Sequence, residues 1–254
     1  MKSNNNYYDD PEFSYLNYWQ GRGYEHAAEV LAIRRLLGKR HFSSGVDIGG
    51  GYGRLAPTLL QFCNQLTIVE PSSKQRQQSL KIKNLKLKIS EGTSDSTGLP
   101  DSSSDFVSII RVMHHLPDPR PTLKEIHRLL KPGGFLLLEF ANSLNIKSKI
   151  AGFFSGQPIS SLPLERRRPS NIRRGTIPFV NHHPQSILKA LSLCHFVPLK
   201  TLSVSNFRSP FLKKILPLPL LLILESIAQI TLSRLYFGPS IFVLARKVDK
   251  PENL

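Results

Sequence analysis

The chain of 254 residues carries 34 Lys and Arg against 18 Asp and Glu, a formal net charge of +16, and is 40% hydrophobic. That is enough apolar material to bury a sizeable core, which excludes a disordered chain, and the length fits one large domain or two small ones. The two cysteines, Cys63 and Cys194, stand too far apart in sequence for a zinc motif and are too few for a disulfide framework, so a reducing cytoplasm is expected. The first fifteen residues hold acids and no apolar run, unlike a secretory signal. Excess positive charge leaves nucleic acid, an anionic membrane face and acidic small molecules open as partners.

Residues 1–20 are polar and aromatic, with Tyr7, Tyr8, Phe13, Tyr15, Tyr18 and Trp19. Helical spacing of Ala28, Leu31, Ala32 and Leu36 predicts a helix over 25–37 that stops near Gly38. A short apolar run at 44–48 ends on a glycine cluster, and helical periodicity resumes over 55–63, giving strand, glycine loop, helix. Strands are expected at 66–70, 86–90, 106–111 and 135–140, with helices through Leu80 and over 121–130. Strands alternating with helices predict a parallel, doubly wound α/β sheet. Regularity breaks after Ala141: residues 143–180 hold four prolines and the cluster Arg166, Arg167, Arg168 with Arg173 and Arg174, and have no clean period. A helix over 184–194, extended segments at 197–203 and 240–246, and an apolar stretch over 215–232 complete the chain.

The glycine cluster Val46-Asp47-Ile48-Gly49-Gly50-Gly51-Tyr52-Gly53-Arg54 lies where a nucleotide-binding loop belongs, between a strand and a helix. Glycines let the backbone turn sharply and approach a ligand, and amides at the helix start face its polar groups. Glu70 ends the next strand about 20 residues on, where a carboxylate accepts hydrogen bonds from both hydroxyls of an adenosine ribose. A nicotinamide-dependent dehydrogenase and an S-adenosylmethionine methyltransferase both fit this pair. Spacing separates them. The dinucleotide fingerprint G-x-G-x-x-G places its third glycine three positions after the second. Here the pattern is D-x-G-x-G-x-G-R through Asp47, Gly49, Gly51, Gly53 and Arg54.

This resembles motif I of the class I S-adenosylmethionine-dependent methyltransferases of the methyltransferase-11 type. The segment Asp95-Ser96-Thr97-Gly98-Leu99-Pro100 resembles the family's D-A-E-x-L-P, and Asp105-Phe106-Val107 the opening of its fourth strand. His114-His115-Leu116, Glu125-Ile126 through Pro132-Gly133-Gly134, and 135–139 continue the likeness in order, covering roughly residues 40–142. Gly50 stands where Cys or Ser is common, and Thr97 where Glu is frequent.

The resemblance implies a Rossmann-like, seven-stranded sheet, mostly parallel with an antiparallel C-terminal strand, within a single domain. Residues 1–38 form a cap, 40–142 the cofactor-binding core, 143–183 a lid inserted after the fifth strand, and 184–254 the last helices and strands. It further implies that Glu70, followed by Pro71, holds the ribose of S-adenosylmethionine, that Asp95 and the Ser96 backbone meet the adenine, and that Asp47 with Gly49, Gly50, Gly51 and Gly53 takes the methionine end. Tyr18 and Arg22 are expected to close over the cofactor, Arg22 meeting its carboxylate or the segment packing as an aromatic cap. Arg111 is either a satisfied buried ion or a contact to the bound molecules.

Methyl transfer from a sulfonium needs alignment and exclusion of water, and a base only where the nucleophile must lose a proton. His115 is the candidate base, His114 a structural neighbour. His182 and His183 lack the further ligands a metal site requires, so no metal is expected and a role at the helix start or lid is. The basic insertion, seven Lys and Arg against Glu165 between 143 and 174, and the apolar stretch Leu218 to Leu232 point to a small or lipid-like acceptor with peripheral contact to an anionic membrane. Core packing and a dimer face over 218–235 stand beside that reading. Two other functions stand as alternatives: a non-catalytic scaffold that binds the cofactor on an anionic surface, and an RNA methyltransferase. For the latter, the basic run Lys74, Arg76, Lys81, Lys83, Lys86 and Lys88 is the signal. No aromatic-interleaved basic motif accompanies it, so nucleic acid is not expected.

Overall fold

A computed structural model describes residues 7–9, 14–174 and 176–249. The rest of the expected cap, 1–6 and 10–13, and the end at 250–254 lie outside the described residues. In chain order the helices are α1 (Tyr15–Trp19), α2 (Gly23–Leu37), α3 (Ala56–Leu59), α4 (Ser73–Ser79), α5 (Arg120–Leu129), α6 (Ile146–Ser155), α7 (Pro169–Arg173), α8 (Pro184–Leu193), α9 (Pro210–Ile215) and α10 (Leu218–Thr231). The strands are β1 (Phe42–Ile48), β2 (Cys63–Val69), β3 (Leu87–Ser90), β4 (Ser104–Ile109), β5 (Leu130–Ala141), β6 (Leu164–Glu165), β7 (Val180–Asn181), β8 (Phe196–Val204) and β9 (Ser240–Lys247).

Seven strands form one sheet in the order β3-β2-β1-β4-β5-β9-β8. β3, β2, β1, β4 and β5 pair in parallel, and β9 runs antiparallel to both β5 and β8. The sheet is therefore the Rossmann-like one expected, with β9 the reversed strand. Both faces are covered, so successive residues of the central strands alternate between two cores. Val107, Leu136, Leu138 and Val243 pack with Leu123 and Ile126 of α5 and Ile187 and Leu191 of α8. Phe106, Leu137, Phe242 and Leu244 pack with Ala28, Ala32, Ile33 and Leu36 of α2 and Leu59 of α3.

Two expectations need correction. The periodic segment 55–63 is helical only over Ala56–Leu59, and Cys63 already opens β2. Leu59, Phe62 and Cys63 are all buried in one core, so the apolar period continues while the backbone changes from helix to strand. The insertion, irregular in sequence, contains α6, the two-stranded ribbon β6–β7 and α7. Asn145 caps α6 by accepting from the Ser148 amide at 3.2 Å, and Gly156, at φ 67°, ends it.

Strand order reverses between β1 and β4, because β2 and β3 lie to one side of β1 and the chain crosses back to β4 on the other. Loops leaving the carboxyl ends of β1, β2 and β4 converge on that crevice, the usual ligand position in open α/β sheets.

Candidate functional site

The glycine loop leaves β1 with Gly49, Gly51 and Gly53 at φ 68°, 57° and 83°, a conformation that side-chain-bearing residues rarely adopt. Gly50 is needed for a different reason: a Cβ there would come within 2.6 Å of an Asp47 carboxylate oxygen. Asp47 is buried, accepts from the Ser108 hydroxyl at 2.7 Å, and is pushed up to about 6 by burial, against the pull of Ser108 and Arg54. At position 50, where Cys or Ser is common in the family pattern, a side chain in this protein would displace the Asp47 carboxylate.

Glu70, at the end of β2, is 5% exposed. One carboxylate oxygen accepts from the Gly51 amide at 3.0 Å and the other from the Ser72 amide at 2.9 Å. Burial pushes the carboxyl up to about 7 even though both amides and Arg76 favour the anion. A carboxylate has about four lone-pair sites, and these two amides take two of them. Two acceptor sites therefore stand beside the glycine loop.

Asp95 and Ser96 lie on a turn that follows β3. The Asp95 carboxylate accepts from the Thr93 hydroxyl at 2.7 Å, and Ser96 bridges to Thr93. Thr97 is buried, and its amide and hydroxyl both donate to Glu125 of α5, at 2.9 and 2.5 Å. Thr97 therefore clamps this turn to α5. Pro71 is exposed, and its carbonyl accepts from Arg76 at 2.7 Å.

After β4, Arg111 adopts φ 64° and its amide donates to the buried Glu139 at 2.9 Å. Its guanidinium pairs with Glu29 of α2 at 2.5 Å, and Arg54 pairs with the other oxygen of Glu29, also at 2.5 Å. Glu29 is fully buried, which opposes its charge, but the two arginines hold its carboxyl below the usual value. Trp19 roofs the network, with the Arg54 guanidinium 3.5 Å from its ring centre. Arg111 is thus ion-paired, with its side chain 21% exposed. Arg22 donates to the Tyr18 carbonyl at 2.8 Å and lies over the Tyr18 ring. Arg22 also lines a cavity of about 580 Å³ on the outer side of the loop, with Trp19, His26, Tyr52 and Arg54.

His115 sits in the short 3-10 turn Met113–His115 that follows β4. Its Nδ1 lies 2.8 Å from the Pro178 carbonyl, an acceptor only, so that nitrogen carries the hydrogen and Nε2 presents its lone pair to the Tyr8 hydroxyl at 2.7 Å. Burial holds the imidazole below its usual value, opposed by the Pro178 bond. His114 packs 4.0 Å from His115 and 4.8 Å from Phe179, ring centre to ring centre. His182 reaches the Met113 carbonyl at 2.9 Å, and His183 caps α8. Among the described residues no group of three His, Cys, Asp or Glu side chains could hold a metal ion.

The N-terminal segment closes the crevice from above. Asp9 accepts from the Ser72 hydroxyl at 2.7 Å and the Lys74 amide at 3.1 Å, at the start of α4. Tyr15 packs edge-on against Tyr8 and Tyr52. Sequence patterning did not single out Tyr8, Asp9, Glu29 or Phe179. Only Glu29 carried a signal, as an acid among the inward positions of a periodic helix.

Residues 46–138 match the family model described as a methyltransferase domain. A ubiquinone/menaquinone biosynthesis C-methyltransferase of Rubrivivax gelatinosus is 32% identical over 97 residues, 38% of this chain and 39% of the relative. The match thus spans about two fifths of that relative's length. Among solved structures, an S-adenosylmethionine-dependent methyltransferase from Mesorhizobium loti superposes with a TM-score of 0.62 at 18% identity, over 89% of this chain and all of the other. A methyltransferase from Thermotoga maritima, described as a possible histamine N-methyltransferase, gives 0.60 at 19% identity over 92% and 94% of the two chains. The fold is shared with these structures, and the family match falls on the segment that holds the glycine loop, Glu70, Asp95 and His115.

Proposed function

We infer that this chain, with its methyltransferase domain over residues 46–138, is an S-adenosylmethionine-dependent methyltransferase acting on a small, lipid-like acceptor. The observation that carries the cofactor reading is Glu70: a buried carboxylate beside the glycine loop with two acceptor sites for a ribose diol. Positive φ at Gly49, Gly51 and Gly53 supports it: the sharp loop needs glycine, and at Gly51 no protein atom comes closer than 3.4 Å to where a Cβ would stand, whereas Val112 and Ile82 fill that space at Gly49 and Gly53.

S-adenosylmethionine, when bound, supplies a methyl group already activated by its positive sulfur. Glu70 would hold the ribose, the turn at Asp95 and Ser96 the adenine, and the glycine loop, with Asp47 held by Ser108 next to Gly50, the methionine end. Asp47 and Glu139 are buried, Glu139 accepting from the Arg111 amide, and the single carboxylate of Glu29 pairs with both Arg54 and Arg111. His115 would take the acceptor's proton where one has to leave: its Nε2 lone pair is aimed by the Pro178 carbonyl behind it and is met by Tyr8 in this structure. Tyr8, Asp9 and Tyr15 close the crevice and exclude water, which protects an in-line transfer.

The lipid-like acceptor is supported by the relative named for quinone biosynthesis and by the apolar and basic surface of the second half of the chain. No helix among the described residues is long and apolar enough to cross a membrane, so contact with a lipid phase would be peripheral. The test is to titrate S-adenosylhomocysteine calorimetrically and to follow label from methyl-labelled cofactor into a lipid extract. Saturable binding with methylated lipid supports both parts of the reading. Binding without turnover on any acceptor supports a non-catalytic scaffold instead, and label in RNA overturns the acceptor class.

A further inference from the structure

Exposed apolar side chains are not spread evenly over this protein. Phe153 and Phe154, at the end of α6, are each 83% exposed, and with Ile150 they occupy one side of that helix. On α10, Leu221, Glu225, Ala228 and Gln229 face the body, where Glu225 accepts from Tyr24 at 2.6 Å and from the Ser205 amide at 2.8 Å. The opposite side carries Leu220, Ile223, Leu224, Ile227 and Ile230, all exposed and at helical spacing. The start of α6 is tied to the segment that follows α10: the Ile146 amide donates to the Phe237 carbonyl at 3.0 Å and the Lys149 ammonium to the Leu235 carbonyl at 2.5 Å.

The stretch of chain that holds both helices is also basic. Residues 143–235 contain thirteen Lys and Arg and two acids, a net +11 of the chain's +16. Glu165 is paired with Arg167, and Glu225 is buried, so neither offsets the exposed Arg166, Arg168, Arg173, Arg174, Lys147, Lys214 and Arg234.

We propose that the face built by α6 and α10, with the basic segment between them, docks on an anionic lipid bilayer, and that Phe153 and Phe154 enter its acyl boundary. An apolar stripe bordered by Lys and Arg is the pattern of a helix lying in the interface plane. A second copy of the chain is disfavoured as occupant, because like faces would bring two sets of positive charge together. The segment that carries both helices leaves and rejoins the sheet at the carboxyl end of β5, where Ala141 pairs with Ser240. The inference rests on the lipid-like acceptor only for its biological meaning, since docking itself needs neither cofactor nor turnover.

The test is sedimentation of the full chain with vesicles of phosphatidylcholine alone or mixed with phosphatidylglycerol, without cofactor. Binding is expected on the mixed vesicles, falling as salt is raised. Phe153→Ser with Phe154→Ser should lower the partition coefficient about 100-fold, as loss of two inserted aromatic side chains requires. Arg173→Gln with Arg174→Gln should lower it about tenfold or more. Both pairs are exposed, so folding is not at stake, and Leu85→Ser, fully exposed beside the other basic run, should change nothing. Equal binding by the phenylalanine variant, loss of binding in Leu85→Ser, or binding indifferent to lipid charge overturns the proposal. So does self-association of the unmodified chain that the phenylalanine variant abolishes, which would make this face a dimer contact. Vesicle binding without any methylated lipid would leave this proposal standing and remove the acceptor reading.

Discussion

Glu70→Gln changes one group and predicts three separable effects. In the folded chain the carboxyl is pushed up to about 7 from its ordinary value of 4.5, which corresponds to about 3 kcal/mol of differential stability. Because the folded value is raised, that stability is fully present below pH 4.5 and is lost as pH rises through about 7. The variant lacks the titration, so the stability gap between wild type and variant should narrow by up to this amount from about pH 4.5 to about pH 8. An opposite cost is independent of pH: the Gln oxygen satisfies only one of the Gly51 and Ser72 amides, and leaving the other buried N–H unpaired costs about 1–3 kcal/mol. For the cofactor, replacing a charged acceptor of the ribose diol removes about 2 kcal/mol, or about 30-fold in Kd. Calorimetric titration with S-adenosylhomocysteine across this pH range should show wild-type affinity falling up to about tenfold per unit below about pH 7, with the variant flat. Urea unfolding at the two ends of the range checks the stability gap. Affinity equal in both proteins, or a wild-type affinity independent of pH, would refute the role of Glu70.

Gly50→Ala sets a Cβ 2.6 Å from one oxygen of the buried Asp47 carboxylate, whose other oxygen is held by Ser108, so urea unfolding should show a loss of about 1–3 kcal/mol. Unchanged stability would mean the loop relaxes freely. Glu29→Ala leaves Arg54 and Arg111 facing each other without a carboxylate, a loss of about 3–5 kcal/mol and a fall of about 10 °C in Tm, with Glu29→Gln intermediate. A Tm within about 2 °C of wild type would contradict the network's structural importance. His115→Ala should lower kcat about 100-fold or more while leaving S-adenosylhomocysteine affinity unchanged, if the acceptor loses its proton in the transfer. A base held below its usual value by burial also predicts a kcat flat across neutral pH, so a rate limb near pH 7 that disappears in His115→Ala would argue against that environment.

How far the sequence discloses the fold depends on which signal each residue carries. The central strands were legible because they are apolar runs bounded by turns, and the glycine loop because its spacing between strand and helix admits few other uses. The segment 55–63 misled because Leu59, Phe62 and Cys63 feed one core through a helix-to-strand change, and burial period does not register backbone conformation. Asp47, Glu70 and Asp95 stand out as candidates in the sequence, since each lies near a strand end at a motif position. Arg111 could be placed but not assigned, because its partner Glu29 lies 82 residues earlier and only the packing of α2 on the sheet brings them together. Tyr8 and Phe179 were invisible for the same reason: each reaches the His114–His115 turn from a segment with no periodicity of its own. The apolar stretch 215–232 left three outcomes open, and the structure divides it, with one side of α10 in the core and the other bare.

The most direct test of the account is the electron density of a complex with S-adenosylhomocysteine. The account predicts both ribose hydroxyls within about 2.5–2.7 Å of the Glu70 carboxylate, with the adenine against the turn at Asp95 and Ser96 and the amino-acid end over Gly49 to Gly53. A ligand lodged instead in the outer cavity beside Trp19 and Arg54, or one whose ribose makes no contact with Glu70, would contradict it.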